Sequence, residues 1–290
     1  MITHIDHITI GVSDLQQGVA QFQKLGFTVL PGGVHAGKGT HNAVAWNGME
    51  YIELLAIRDV AEYRASSASG GEFEKFITAG GGIRSIALAS DDLVADVAGM
   101  RSRGIEVGDP IEGSRRTPDG QELRWKLAMP GASNALPIFF IQHLTPLAQR
   151  RPAAAGTHPN AVTELERAYI VVDDAEAAAA HCAKILGMET PKLQKGTVIM
   201  SNMAIFQLGP TGLGIVTPYG DGPAASALKL RGPGAFQALY RTTGMGSAAR
   251  WMAAQGLPPL ERGVRNTGEH AMLATPKDAC GAYIGFVGPE

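Results

Sequence analysis

The chain has few cysteines, few aromatic residues and no surplus of charge of either sign. Cys182 and Cys280 are the only cysteines in 290 residues, which excludes a disulfide framework and the paired-cysteine spacing of zinc modules. Twenty-five Lys and Arg against 27 Asp and Glu leave a formal net charge of −2. With no long run of one sign, this argues against a nucleic-acid-binding face or a polybasic membrane patch. No apolar run reaches the roughly 18 residues needed to cross a bilayer. The opening MITHIDHITIGV alternates like a strand and lacks the charged-then-apolar layout of a signal peptide. No GxSxG elbow, P-loop, HExxH or dinucleotide fingerprint stands in the context it needs, and HAGKGTHN has the wrong spacing for a phosphate loop. Neither cysteine has a partner for thiol chemistry. The expectation is a reduced, cytoplasmic protein with no nucleic-acid or membrane partner and no organic cofactor.

What is present is ordinary globular material, 45% hydrophobic and 18% charged, with 37 glycines and 17 prolines marking many turns. The length exceeds a typical single domain. One unit recurs along it. In IDHITIGVSDL, Ile8, Ile10 and Val12 alternate with His7, Thr9 and Gly11, the mark of a strand with one face packed. Asp14 stands where a helix N-cap belongs, Leu15, Val19, Phe22 and Leu25 form an apolar stripe, and Gly26 closes the helix. Strands follow near FTVLPG, HNAVAWNG and MEYIELLAI. The order returns at IRSIALASDDL, with Asp92 and Gly104 in those roles and strands at IEGSRR, ELRWKLA and PIFFIQHL. Third and fourth copies begin at LERAYIVVDD (Asp174, Gly187) and GAFQALYRTTG (Gly256), and the last strand is GAYIGFV. The insertion after the first copy is expected to carry a short helix at Phe73–Phe76, and Pro118-Asp119-Gly120 reads as a tight turn.

The predicted fold class is α+β: four tandem βαβββ modules forming two pairs of cupped mixed sheets, with helices outside. Residues 1–146 hold modules one and two and residues 163–290 modules three and four. The unpatterned, Pro- and Ala-rich 147–162 links them.

The segments DHITIGVSDL, PGGVHAGKGTHN, RRTPDGQELRWKLAMP and LPIFFIQ, with the ending PKDACGAYIGFV, resemble the vicinal-oxygen-chelate superfamily and its glyoxalase-like domain branch. That resemblance implies a small-molecule site inside a cup, with metal ligands from the first and last strands of each module. The first-strand positions here are His7, Ser85, Arg167 and Gln237. The last-strand positions are Glu53, Gln142, Gly214 or Ile215, and Gly285. His7 and Glu53 are the candidate ligands for a divalent Zn, Mn, Fe, Ni or Mg ion; the alternative is a buried His–Glu hydrogen bond. A 2-His-1-carboxylate iron site lacks its second histidine at the usual positions. Arg167 and Gly285 mark the C-terminal pair as degenerate.

Around these, His35 and His41 flank a glycine-bearing loop that reaches toward the cup mouth. Asn42 points the opposite way from His41, so at most one of the two faces the cavity. His143 is expected to face away, and His270 to be an ordinary satisfied side chain. Arg115, Arg116, Glu122 and Trp125 belong to a hairpin suited to an anionic or aromatic ligand, or to a surface ladder of Arg–Glu pairs. The expected catalytic groups are Glu53, as ligand or base, with His35 or Glu122 as acid–base partner. The expected substrate contacts are His41, Arg116, Trp125 and Gln142.

Two functions follow. One is a metal-dependent lyase or isomerase, ahead of a ring-cleaving dioxygenase, acting on a small oxygenated metabolite. The other is a metal-free, drug-sequestering binder. A homodimer is compatible with either, and module pairing is left open: were module one to pair with module four, Gln237 would join His7 and Glu53.

Overall fold

The computed structural model describes residues 1–66, 71–117, 119–131, 133–258 and 260–290. Pro118 of the expected turn lies outside them. Module one runs β1 (Ile2–Gly11), α1 (Leu15–Lys24), β2 (Leu30–His35), β3 (Thr40–Asn47) and β4 (Glu50–Ile57). After α2 (Val60–Ser66) and α3 (Glu72–Thr78), module two runs β5 (Gly82–Ser90), α4 (Leu93–Ser102), β6 (Ile111–Arg116), β7 (Glu122–Ala128) and β8 (Ile138–His143). α5 (Leu147–Arg150) leads to module three: β9 (Val162–Val171), α6 (Ala175–Leu186), β10 (Gln194–Gly196), β11 (Ser201–Leu208) and β12 (Thr211–Pro218). After α7 (Pro223–Arg231), module four runs β13 (Gly234–Thr242), α8 (Met245–Ala254), β14 (Glu261–Val264), β15 (His270–Ala274) and β16 (Tyr283–Gly288).

The helix starts follow from their caps. Asp14 accepts from the Gln17 N–H, Asp92 from Ala95, and Asp174 from Glu176 and Ala177. Each satisfies donors that the first helical turn leaves open.

Modules one and two close into a barrel in the order β1-β4-β3-β2-β6-β7-β8-β5. Modules three and four form a second, open eight-stranded sheet, β10-β11-β12-β9-β13-β16-β15-β14. Module one therefore pairs with module two, and Gln237 belongs to the other sheet.

Stabilisation lies on the outer faces. Ile8 and Ile10 of β1 and Ile52 and Leu54 of β4 share one buried cluster with Phe22 of α1 and Leu25 at its C-cap. The same apolar cluster continues to Leu165, Ala168, Phe206 and Phe286 of the second sheet. Polar ties cross the same boundary: the Ile5 N–H donates to Thr211 Oγ1 at 2.8 Å, and Arg103 donates to the Lys184 carbonyl at 2.6 Å. The segment between β8 and β9 is fastened to module one. His158 Nδ1 accepts from the Thr28 N–H at 2.9 Å, its Nε2 meets the Trp46 carbonyl at 2.7 Å, and Asn160 donates to the Leu25 carbonyl at 2.9 Å.

β2 begins later than its apolar residues suggest and runs through Pro31-Gly32-Gly33, with a bulge between Pro31 and Gly33. A Cβ at Gly32 would stand 2.0 Å from Asn42 Oδ1, so only glycine lets Asn42 turn inward there. The shift makes His35 the last residue of a strand rather than part of a loop.

Candidate functional site

With the apolar residues turned outward, the inner face of the first barrel is left for polar and aromatic side chains around a cavity of about 680 Å³. At its base β1 carries a bulge: Ile5 and His7 pair with consecutive residues of β5, leaving Asp6 without a partner. Asp6 is thereby turned inside and is 1% exposed. Its two oxygens hold two imidazoles, His7 Nδ1 at 2.7 Å and His143 Nε2 at 2.9 Å. Burial pushes the Asp6 carboxyl upward, but His143 and His7 outweigh it and hold it well below the usual carboxylate range. An ionised Asp6 only accepts, so both contacting nitrogens carry the proton. His7 Nε2 and His143 Nδ1 are then left as lone pairs when the rings are neutral.

His7 Nε2 looks across 3.7 Å to Glu53 Oε2, and His35 Nε2 lies 3.9 Å from Glu53 Oε1. Glu53 already accepts from Asn42 Nδ2 at 2.6 Å and Thr9 Oγ1 at 3.1 Å. Burial raises its pKa, yet His7, His35 and these two donors bring it below the ordinary value. His35 Nδ1 is fixed by Thr40 Oγ1 at 2.9 Å, and burial lowers its pKa, keeping the ring neutral near pH 7. Burial likewise lowers that of His143, whose Nδ1 is buried without a partner among the described residues.

Aromatic rings frame the centre. Tyr51 stacks on His7 at 4.5 Å, Phe139 meets it edge-on at 5.5 Å, and Trp46 packs on Tyr51 at 4.8 Å. Trp125 lines the opposite wall, and Arg115 and Arg150 reach into the cavity. Arg115 is half-buried and donates to the Gly32 carbonyl.

Of the residues proposed from sequence, His7, Glu53, His35, Ser85, Arg115 and Trp125 line this cavity. His41, Arg116, Glu122 and Gln142 lie elsewhere. His41 faces outward toward α1 beside Gln16 and Val19, and Asn42 takes the inward place. Glu122 and Arg116 are exposed and pair across the β6–β7 ladder. They lie outside because Leu123, Trp125 and Arg115 hold the inner face. Gln142 is not a cavity ligand: it accepts from the Leu93 N–H at the start of α4 and donates to the Asp91 carbonyl. His143, expected to face away, faces in. β8 reads IFFIQH, apolar on both faces, so alternation alone carries no phase. The pairing of His143 with Trp125 supplies it.

Residues 5–186, through the end of α6, match a glyoxalase-like domain family. The chain belongs to that family. The two cupped sheets with helices outside are the vicinal-oxygen-chelate fold. A protein described as hypothetical from Staphylococcus aureus superposes with a TM-score of 0.68 at 16% identity, over 99% of this chain and all (100%) of the other. A mutant of 4-hydroxymandelate synthase from Streptomyces coelicolor also gives 0.68, at 13% identity over 99% and 92%. A xylose isomerase-like TIM barrel/4-hydroxyphenylpyruvate dioxygenase fusion protein gives 0.59 at 11% identity, covering 99% of this chain and 49% of that one. These likenesses concern the fold. No curated protein matches the sequence. No helix among the described residues is long and apolar enough to cross a membrane.

Divalent metals are common in this superfamily. Among the described residues no group of three or more His, Cys, Asp or Glu, His7, His35 and Glu53 included, is placed to hold a metal ion as the side chains stand. The donor chemistry nonetheless fits one. Two imidazole Nε2 atoms face one carboxylate, and each ring is oriented through its other nitrogen by Asp6 or Thr40, as metal-bound histidines usually are. Two ligands of a tetrahedral ion stand about 3.3 Å apart, a few tenths of an ångström inside the separations found here.

Proposed function

We propose that the first barrel is a metal-dependent lyase or isomerase acting on a small oxygenated molecule, with His7, His35 and Glu53 holding a divalent ion. The observation that supports this most is the His7–Glu53 pair. With Nδ1–H given to Asp6, His7 turns a lone pair toward an ionised carboxylate 3.7 Å away, His7 buried and Glu53 partly buried at the cavity wall. Two acceptors facing each other at this separation favour a cation or a proton between them.

When bound, the ion supplies Lewis acidity to neighbouring oxygens of the substrate. The protein's own groups do the rest. Glu53, held ionised below the ordinary value, is a poor base and suits the ligand role. His143 is fixed on Asp6 through its Nε2–H and its Nδ1 is closed off from the cavity, so it helps hold Asp6 and, through it, His7 rather than reaching the substrate. The stacked Tyr51, Trp46 and Trp125 walls exclude water and pack against a flat substrate, and Arg115 and Arg150 favour an anionic one. Glu122 has no part in the proton transfer, since it lies on the outer face.

The same pair also supports a metal-free reading, in which His7 is an imidazolium between Asp6 and Glu53 and the aromatic cavity sequesters a ligand without turnover. Elemental analysis separates the two. Near-stoichiometric divalent metal in the wild type, lost in His7→Ala and Glu53→Ala, supports the enzyme. No metal in the wild type after reconstitution would sink it and leave the binder.

A further inference from the structure

The cavity of the first barrel has two unlike walls. Module one lines it with the polar groups His7, Thr9, His35, Asn42 and Glu53, and module two with Leu123, Trp125, Leu127, Phe139 and Ile141. A Cβ at Gly113 of β6 would stand 2.5 Å from the Trp125 indole nitrogen, so glycine there makes room for the ring. In a chain only 6% aromatic, two of the three tryptophans gather here with Tyr51, Tyr63, Phe73 and Phe139. Such a lining suits a flat apolar body.

Two guanidiniums reach the same space, Arg115 from β6 and Arg150 from α5, in the segment that joins the two sheets. Arg150 stands over the Trp46 ring at 5.8 Å, Trp46 packs on Tyr51, and Tyr51 stacks on His7. Its charge therefore sits at the far end of a run of rings that starts beside the His7–Glu53 pair. Burial and the charges of Asp6 and Glu53 raise the Tyr51 hydroxyl, while Arg150 and Arg115 oppose them, so both guanidiniums lie near that hydroxyl. Neither arginine is ion-paired among the described residues, because the cavity's carboxylates are engaged elsewhere: Glu53 with His7 and His35, Asp6 with His7 and His143. Arg115 gives one Nη to the Gly32 carbonyl, and Arg150 Nε is closed off inside the protein. Both Nη groups of Arg150, the second Nη of Arg115 and Tyr51 Oη are neither hydrogen-bonded among the described residues nor closed off.

We infer that the ligand of this cavity is an aromatic carboxylic acid, its carboxylate held by Arg150 and Arg115 beside the Tyr51 hydroxyl and its ring laid against Trp125 and Phe139. This rests on the reading of the first barrel as the substrate site and gives that substrate a class and an orientation. The open Nη groups offer the forked donors that a carboxylate accepts, and the acid's remaining oxygens face His7, His35 and Glu53. Arg150 belongs to no module. The linker, which His158 also ties to the Trp46 carbonyl, is thereby part of the site.

Calorimetric titration of the full chain tests this with 3-phenylpropionate, its neutral amide and hexanoate, on protein as purified and after chelator treatment. The aromatic acid should bind the wild type saturably and about tenfold or more tighter than the amide or hexanoate. Arg150→Gln and Arg115→Gln should each weaken the acid about tenfold, as loss of a charge-assisted hydrogen bond implies, and leave the amide unchanged. Arg150→Lys, which keeps the charge without the fork, should also weaken the acid alone and serves if Arg150→Gln does not fold. Arg116→Gln, exposed on the same strand, should change nothing. The anchor needs no metal, so the same arginine dependence in metal-free protein upholds it even where the metal-dependent reading fails. Absence of saturable binding of the acid, equal affinity for acid and amide, or hexanoate binding as tightly as the aromatic acid would overturn the inference. Binding lost on chelation but unaffected by either arginine change would overturn it too, and would leave the metal reading standing.

Discussion

Glu50 opens β4 and is 3% exposed, sealed where the first barrel meets β9. Burial raises its carboxyl, backbone donors at Glu50 and Leu165 relieve only part of this, and Glu164 and Asp6 add repulsion, so the group is pushed up to about 7. A carboxyl whose pKa is higher in the folded than in the unfolded chain favours folding in its protonated form. That contribution is complete below the unfolded value, about 4.3, and is lost as pH rises through about 7. Each pH unit is worth about 1.4 kcal/mol, so ionising Glu50 costs the fold up to about 3 kcal/mol by pH 8. Glu50→Gln keeps the shape of the protonated side chain and removes the titration. Urea denaturation at pH 5 and pH 8 should show the advantage of Glu50→Gln over wild type growing by about 2–3 kcal/mol. A gap independent of pH, or one that shrinks toward pH 8, would refute the reasoning.

Asp6 works in the opposite sense. Its folded value is depressed, so its contribution is present above the ordinary carboxyl range and lost as pH falls. Asp6→Asn should lower stability at pH 7 by about 3 kcal/mol, measured by chemical denaturation, and the gap should narrow toward acid. Phe140, fully buried beneath the outer helices, should cost about 3–5 kcal/mol on replacement by Ala, seen as a fall in Tm with the cavity side of β8 unchanged. His41→Ala and Glu122→Gln should leave affinity for a cavity ligand within about twofold, since surface positions away from a site rarely alter it. Asn42→Ala, by contrast, should change metal or ligand binding clearly by calorimetry, because it removes a direct donor to Glu53.

The repeated unit was legible because it rests on local rules: the caps Asp14, Asp92 and Asp174 and the alternation of Ile8 and Ile10 each act within a few residues. The centre was legible only where a strand had one polar face, as at His7 and Glu53. Strands buried on both sides gave no phase. In β3 the choice between His41 and Asn42 is made by a bulge in the neighbouring strand at Gly32, and in β8 the phase comes from pairing with Trp125. Asp6 was missed for a related reason. It sits beside His7, and alternation sends neighbours to opposite faces. The bulge that brings both inside is a property of β1 against β5, eighty residues apart in the chain. Glu122 was a different error, since its three-residue spacing from Trp125 already placed the two on opposite faces.

The placement of the apolar core outside the barrel gives each central strand two separable inheritances. Along β1 the residues that hold the fold, Ile8 and Ile10, alternate with those that face the cavity, His7 and Thr9. The lining can therefore be rewritten one side chain at a time while the scaffold keeps its packing, and the second sheet, with Arg167 where the first has His7, is such a rewriting within a single chain. A library that varies the inward positions of β3, β7 and β8 alone would explore new ligands with little loss of folded protein, whereas the same number of changes on the outward positions would mostly yield chains that do not fold.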